Sequence, residues 1–283
     1  MAYNDITVKQ PLTPNPDGEH MIYSTRKGGG GVCAGTVAIP MLDRMPASSV
    51  MSLVGTDWTW LKPEYYVKGP LIIHGSSVLT LARNEAVQRL EGDWICFIDD
   101  DMVWQPDAVG RLIATREEYD LDMLGALCFR RSEPFQPTMY MRESADAGLY
   151  NYVESWDADI AEVDATGLAF AVIHKRVFEK IAGNPIPSLE DRMRTGPPEF
   201  FKWQGLLGED LRFCQDAKAA GCHIFVDTRI KIGHVAEREI TERDFLVELA
   251  LRDKAVVKER RKANNRMGLS TVTPLQAFHR LKQ

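Results

Sequence analysis

The sequence predicts an α/β domain with a mostly parallel central sheet flanked by helices, and three observations carry that expectation. The run Trp94–Ile98 (WICFI) is apolar without alternation, the pattern of a strand covered on both faces. It closes a strand, helix, strand unit. Residues 71–74 form the first strand, residues 76–90 a helix with Leu79, Ala82, Ala86 and Leu90 on one face, and Gly92 is the stop before WICFI. Such a unit is a βαβ crossover. The apolar run then ends abruptly in Asp99-Asp100-Asp101, and open α/β sheets bind their ligands at the carboxyl ends of their strands.

Three adjacent carboxylates repel one another, so a fold keeps them most readily where a cation or a hydrogen-bond network offsets the repulsion. Asp is also favoured at helix N-termini, and a helix is expected from Pro106, but one aspartate would suffice for capping it. Aspartate oxygens are hard ligands suited to Mg²⁺ or Mn²⁺ rather than zinc.

The totals bound the reading. The 283 residues, 45% hydrophobic and 26% charged, suffice for one large α/β domain or two small ones. A net charge of −6 argues against a protein that coats nucleic acid by bulk electrostatics. The five cysteines are scattered, odd in number and form no CxxC. Reduced core thiols and a cytoplasmic location are therefore expected. Residues 1–20 lack the apolar segment of a signal peptide, and no apolar run of about 18 residues is present.

Taken in order, residues 1–31 read as a flexible arm ending in Gly28-Gly29-Gly30-Gly31. Residues 32–39 form a strand stopped by Pro40, and residues 41–54 a helix despite Pro46. Within this stretch GGVCAGT invites a P-loop reading, but Thr36 stands where the phosphate-binding lysine is required, and the reading is rejected. Trp58, Trp60, Tyr65 and Tyr66 make an aromatic loop around Pro63. A small satellite core is preferred for them over stacking on a base or sugar. On the helix of residues 76–90, Arg83 falls at the edge of the packed stripe and Asn84 and Arg89 fall off it.

Further along, a helix is expected at 106–118, a strand at 123–129 followed by Arg130-Arg131, a turn at 134–137 and a strand at 138–141. A second acidic pair, Asp157 and Asp159, has no buried strand before it and reads as solvated loop. A strand at 160–164, a tight turn at 165–167, the buried run LAFAVI and a helix at 174–182 with Val177, Phe178 and Ile181 inward come next. Residues 184–198, with four prolines, read as an exposed loop. Phe200-Phe201-Lys202-Trp203 is an aromatic cluster near a cleft. Gly208-Glu209-Asp210 opens a helix to Ala220, stopped by Gly221. Strands at 222–226 and 229–232 lead to Gly233-His234. Residues 240–264 form a long helix whose basic part, 252–266, would meet phosphates or anionic head groups or simply face water. Residues 269–283 are a tail.

Several of these motifs occur in a telling order: a first strand ending in Ile39-Pro40, then Ala82-Arg83-Asn84, then Asp99-Asp100-Asp101, then Gly208-Glu209-Asp210, then His234. In this the chain resembles the GT-A-fold glycosyltransferases. Within them it is similar to the family 2-like and mannosylglycerate-synthase-like groups, including compact stand-alone enzymes common in bacteriophages. The resemblance covers residues 32–236. It implies a GT-A catalytic domain there, with residues 237–283 a C-terminal helix and tail. It also implies metal-dependent transfer of a sugar from a UDP- or GDP-linked donor, with Mn²⁺ or Mg²⁺ as cofactor.

By the same resemblance Ile39 and Pro40 lie beside the donor's base and Arg83 reaches its diphosphate or sugar. Asp99, with Asp100 beside it, contacts ribose or sugar hydroxyls. Asp101 binds the metal, and His234 is the remaining protein ligand, which favours Mn²⁺. Asp210 is the general base of inverting members, and Glu209 orients sugar or acceptor. Retaining members lack so clear a base, and the sequence leaves the stereochemistry open. Trp203 is the expected acceptor platform. The acceptor hydroxyl is open among a modified DNA base, a protein, a glycan and a lipid.

Plainer readings stand beside these roles. Glu209 and Asp210 would complement a helix N-terminus, His234 would be a loop histidine, and Arg83 would pair with Glu85 or Glu91 at the surface. Arg130 and Arg131 would hold a phosphate or acidic acceptor, or only face solvent. Two rival functions share the acidic tip: a metal-dependent nucleotidyltransferase or phosphohydrolase, and a non-catalytic nucleotide-sugar-binding module.

Overall fold

The computed structural model describes residues 32–59, 65–74, 78–132, 135–143, 150–195, 199–203, 205 and 207–236. The expected arm at 1–31, Trp60, and the basic helix and tail from residue 237 onward lie outside the described residues.

The chain begins with β1 (Val32–Met41), α1 (Ala47–Val54), β2 (Tyr65–His74), α2 (Leu79–Gln88), β3 (Trp94–Ile98) and β4 (Met102–Val103). It continues with α3 (Ala108–Glu118), β5 (Met123–Leu127), β6 (Met139–Arg142), β7 (Tyr150–Tyr152), β8 (Ile160–Val163) and β9 (Ala165–Thr166). The described part ends with β10 (Phe170–His174), α4 (Lys175–Ala182), α5 (Leu189–Thr195), α6 (Glu209–Ala219), β11 (Ile224–Lys231) and β12 (Gly233–His234).

Seven strands form the central sheet in the order β2-β1-β3-β10-β5-β11-β8. β1 runs parallel to β2 and β3, and β11 parallel to β5. β10 is antiparallel to both β3 and β5, so those two point the same way, and β8 is antiparallel to β11. Five strands therefore present their carboxyl ends along one edge. Two small sheets, β12-β4 and β7-β6-β9, complete the described strands.

The expected mostly parallel sheet flanked by helices is what the chain adopts. β3 shows why WICFI needs no alternation. Ile95 and Phe97 pack into one core with Ala82 and Ala86 of α2, Phe178 of α4 and Phe213 of α6. Trp94, Cys96 and Ile98 point the other way, into a core with Val109, Leu112 and Ile113 of α3. Each face keeps a period of two, and both faces are apolar because both are covered.

The differences from the sequence reading have local causes. β1 continues through Pro40, which lies beyond the last residue paired with β3, so the missing N–H removes no bond on that side. α1 starts only after Pro46, since proline opens helices readily but disfavours helix before it. Tyr65 and Tyr66 belong to β2, in register with Val32 and Cys33, whereas Trp58 packs against the second core as expected. Ala165 and Thr166 are not a turn but β9, paired with β6. β11 is one strand rather than two. Its polar centre is satisfied internally: buried Asp227 accepts from the Arg229 backbone N–H and guanidinium, and the Thr228 hydroxyl donates to the Ala158 carbonyl at 2.8 Å.

The stretch expected as an exposed loop contains α5. Ser188 accepts from the Asp191 N–H at 3.2 Å and donates to its carboxylate at 2.7 Å, a capping box hidden among prolines. From α5 the buried Arg192 donates to the carbonyls of Gln88 (3.0 Å), Leu90 and Pro187, satisfying the open end of α2. The rejection of a P-loop agrees with the structure: Thr36 is buried within β1 and bonds the Glu91 backbone. The five cysteines are free thiols, and four are buried. Asp157 and Asp159 are exposed.

Gly35 pairs with Trp94 across β1 and β3, and a Cβ at Gly35 would lie 2.1 Å from the indole ring. Gly35→Ala is therefore expected to destabilise the domain by about 1–3 kcal/mol through overpacking, read as a lower urea midpoint with an unchanged denaturant slope.

Candidate active site at the carboxyl edge of the sheet

The three aspartates occupy a tight turn between β3 and β4. The Asp99 N–H donates to the Ala169 carbonyl just before β10 (2.8 Å), and the Met102 N–H folds back to the Asp99 carbonyl (3.3 Å). β4 then pairs with β12 so that Met102 faces His234, and the Asp101 carbonyl accepts from the Val235 N–H at 2.8 Å. Chain ends far apart in sequence thus meet on one turn.

Each carboxylate has its own partner. Asp99 accepts two hydrogen bonds from Arg83 Nη2, at 2.9 and 3.2 Å, while Arg83 Nη1 donates to Glu209 Oε1 at 2.5 Å. Arg83 is only 2% exposed and sits 5.8 Å from the centre of the Phe97 ring. Burial alone would lower its pKa, but Asp99, Glu209 and Asp210 raise it on balance. Among the described residues its Nε has no partner. The expected surface pair with Glu85 or Glu91 does not form: Arg89 takes Glu85 and Lys68 takes Glu91. The guanidinium is enclosed and bridges two carboxylates.

Asp100 is raised by burial and by Asp101 and Asp99, and is partly relieved by the Leu42 N–H. It ties the chain just past β1 to the acidic turn. Asp101 Oδ2 receives both His234 Nε2 at 3.1 Å and Arg131 Nη1 at 3.0 Å. Burial pushes Asp101 up, but His234 and Arg131 more than reverse it, so its pKa is lowered. His234 responds in the opposite sense. Burial pulls it down, yet the bonds to Asp101 and to the Phe129 carbonyl (Nδ1, 2.8 Å) leave it raised.

Glu209 and Asp210 open α6 behind Gly208, and acidic groups there complement the helix dipole. Burial raises both, with Arg83 opposing, and nearby Asp99 adds to each. Asp210 Oδ1 accepts from the Leu211 N–H at 2.7 Å. A Cβ at Gly208 would come within 2.9 Å of that oxygen and 3.9 Å of the Trp203 ring, so glycine lets carboxylate and indole sit close together. Trp203 is 62% exposed. Two residues earlier, the Phe201 backbone is clamped by Asn84, which gives and takes a hydrogen bond at 2.9 Å each way.

Ile39 is 0% exposed, with its side chain inside the second core. Pro40 is likewise buried. Three groups escaped the sequence reading as parts of this site. The Phe129 carbonyl that orients His234 carries no side-chain signal. Tyr140 lies close enough to Asp210 to be affected by its charge, but its alternation within β6 gave only a strand. Arg131 was left between phosphate binder and surface residue, and its place on Asp101 depends on the turn after β5. Arg130, its neighbour, instead donates to the Tyr152 hydroxyl at 3.2 Å and packs over that ring.

The comparisons bear on the segment that carries most of this edge. Residues 71–181 match the family model described as Glycosyl transferase family 2. The match covers less than half of the chain. It includes Arg83 and the three aspartates and ends before Trp203, Glu209, Asp210 and His234. It accords with the sheet topology in supporting a GT-A-like fold. No curated protein matches.

Among solved structures, A197 from STIV is similar at 14% identity over 73% of this chain and 86% of its own, with a TM-score of 0.46. GalNAc-T7, solved with UDP, GalNAc and Mn²⁺, is similar at 12% identity over 73% of this chain and 44% of its own, with a TM-score of 0.48. No described helix is long and apolar enough to cross a membrane.

The Asp101–His234 pair predicts a pH dependence of stability. A histidine raised above 6.5 stabilises the fold below that pH, and the contribution is lost as pH rises through its folded value. A carboxylate lowered from 3.8 stabilises above that pH and loses the effect as pH falls through its folded value. In EDTA, the melting temperature of the wild type is expected to decline on going from pH 6.5 to more alkaline buffer. His234→Gln should flatten that decline, and an equal slope in both proteins would refute the assignment.

Proposed function

We propose that this protein is a divalent-metal-dependent glycosyltransferase that moves a sugar from a nucleoside-diphosphate sugar to a hydroxyl acceptor with inversion at the anomeric carbon. The observation that carries the reading is the meeting, at one sheet edge, of the Asp101–His234 pair with the Asp210 carboxylate, in a chain whose residues 71–181 match a glycosyltransferase family.

The residues present fit a metal. The Phe129 carbonyl holds the proton on His234 Nδ1, which leaves Nε2 free to ligate once its own proton is lost. That nitrogen already lies 3.1 Å from Asp101 Oδ2. Among the described residues no three His, Cys, Asp or Glu side chains form a metal cage. Two protein ligands with the rest from phosphates and water is the usual arrangement for Mg²⁺-type sites. A bound Mn²⁺ or Mg²⁺ supplies positive charge to the departing diphosphate.

The chain's own groups do the rest. Asp99, half-buried and fixed by Arg83, accepts from donor hydroxyls. Asp100 anchors the Leu42 backbone, and the chain beyond β1 borders the base without help from the Ile39 side chain. Glu209, held by the same arginine, orients the sugar. Trp203 offers its exposed ring to the acceptor beside Asp210. Asp210 takes the proton of the acceptor hydroxyl as that oxygen bonds to the anomeric carbon. The bond from that carbon to the diphosphate breaks, and its electron pair leaves on the phosphate oxygen. A raised pKa suits this task, since a base tuned toward neutrality is more effective than an ordinary carboxylate.

Substitution, product analysis and metal removal test the proposal. Asp210→Asn should lower kcat by about 10²–10⁴-fold with little change in nucleotide affinity, and should abolish the rise in rate as pH climbs through the Asp210 value. Asp101→Ala should lose Mn²⁺-dependent binding of UDP or GDP. Turnover should release a nucleoside diphosphate and stop in excess EDTA. Release of pyrophosphate instead would make the protein a nucleotidyltransferase, and nucleotide binding without any turnover would make it a binding module.

A further inference from the structure

We infer that Arg131 is a counter-charge that sits on the metal-facing oxygen of Asp101 while no divalent ion is held there, and that it moves to the donor's phosphates when one is. The inference rests on the donor-site reading above and adds to it a residue that couples ion uptake to donor binding.

Two cationic donors converge on a single carboxylate oxygen, Asp101 Oδ2: His234 Nε2 at 3.1 Å and Arg131 Nη1 at 3.0 Å. They are held very differently. His234 is locked by its backbone pairing with Met102 and by the Nδ1 contact to the Phe129 carbonyl. Its side chain is 19% exposed, whereas that of Arg131 is 65% exposed and its one described ion pair is with Asp101. The backbone at its root is braced, since the Arg130 N–H donates to Gln136 at 3.0 Å and Phe129 bridges to Pro137. A firm root with a free head is the construction of a swinging side chain.

The guanidinium cannot stay where it is beside an ion. A hard-oxygen ligand holds Mg²⁺ or Mn²⁺ at about 2.1 Å, so a guanidinium 3.0 Å from the same oxygen would face a divalent charge at roughly contact distance. A diphosphate arriving with the ion brings negative oxygens to the same place, and arginine is the side chain whose planar fork matches phosphate. Arg83 cannot serve, because it is enclosed between Asp99 and Glu209. Arg130 is engaged with the Tyr152 hydroxyl and ring. Of these three described arginines, Arg131 is the one able to exchange one partner for the other.

The two halves of the inference give opposite signs for one substitution, which a merely structural role would not. Mn²⁺ uptake without nucleotide is measured by electron paramagnetic resonance on wild type, Arg131→Gln and Arg131→Lys, all checked for an unchanged melting temperature in EDTA. UDP and GDP binding is then measured by calorimetry at saturating Mn²⁺. Arg131→Gln is expected to bind Mn²⁺ alone about threefold tighter, the range expected for loss of an exposed competing ion pair. It should bind the nucleotide about tenfold more weakly. Arg131→Lys should fall between. If Arg131→Gln leaves Mn²⁺ affinity unchanged or weaker, or leaves nucleotide affinity unchanged, the inference is wrong while the donor site stands. If the wild type takes up no Mn²⁺ with or without UDP or GDP, the donor-site reading and the inference fall together.

Discussion

The buried guanidinium of Arg83 is the constraint on which the rest of this edge depends. One planar cation, 2% exposed, joins Asp99 at the tip of β3 to Glu209 at the start of α6. These residues come from elements more than a hundred positions apart in sequence. Removing one partner from such a buried arrangement typically costs about 3–5 kcal/mol, because the charges left behind have no water to turn to. The bridge also ties the acidic turn to the first turn of α6, where Asp210, the general base proposed for transfer, follows Glu209.

Around that bridge the carboxylates are sorted by the kind of relief each receives. Asp99 and Glu209 share a permanent cation. Asp101 leans on a histidine, which can lose its proton, and on an exposed arginine, which can be displaced. Asp100 is relieved by a backbone N–H and Asp210 by the nearby Arg83 and then a backbone N–H, with pKa values that stay raised. In the function proposed above, the first group keeps the scaffold charges fixed, Asp101 takes the cation and Asp210 takes the proton.

The parts of this arrangement that were legible in the sequence are those with a local signature. WICFI ending in aspartates, the Gly-Glu-Asp helix start and the strand, helix, strand rhythm each declare themselves within a dozen residues, and the sheet formed as expected. What escaped was set by partners distant in sequence. Helical periodicity put Arg83 at a stripe's edge and Asn84 outside it, because that method assumes one buried face, whereas α2 is covered on nearly all sides. Prolines around Ser188 masked a capping box. Pro40 looked like a strand terminator because its position beyond the β3 ladder is a property of the sheet. Ile39 was placed near a base by resemblance alone, and the sequence carried no sign of which core its side chain joins.

Neighbouring residues on α2 hold two different segments. Arg83 grips the carboxylates of Asp99 and Glu209, and Asn84 grips the backbone of Phe201, two residues before Trp203. At the far end of the same helix, Arg192 of α5 clasps the closing carbonyls. The helix thus works as a tie-beam: one short element fastens the acidic turn, the start of α6, the Phe201 segment and α5 to one another.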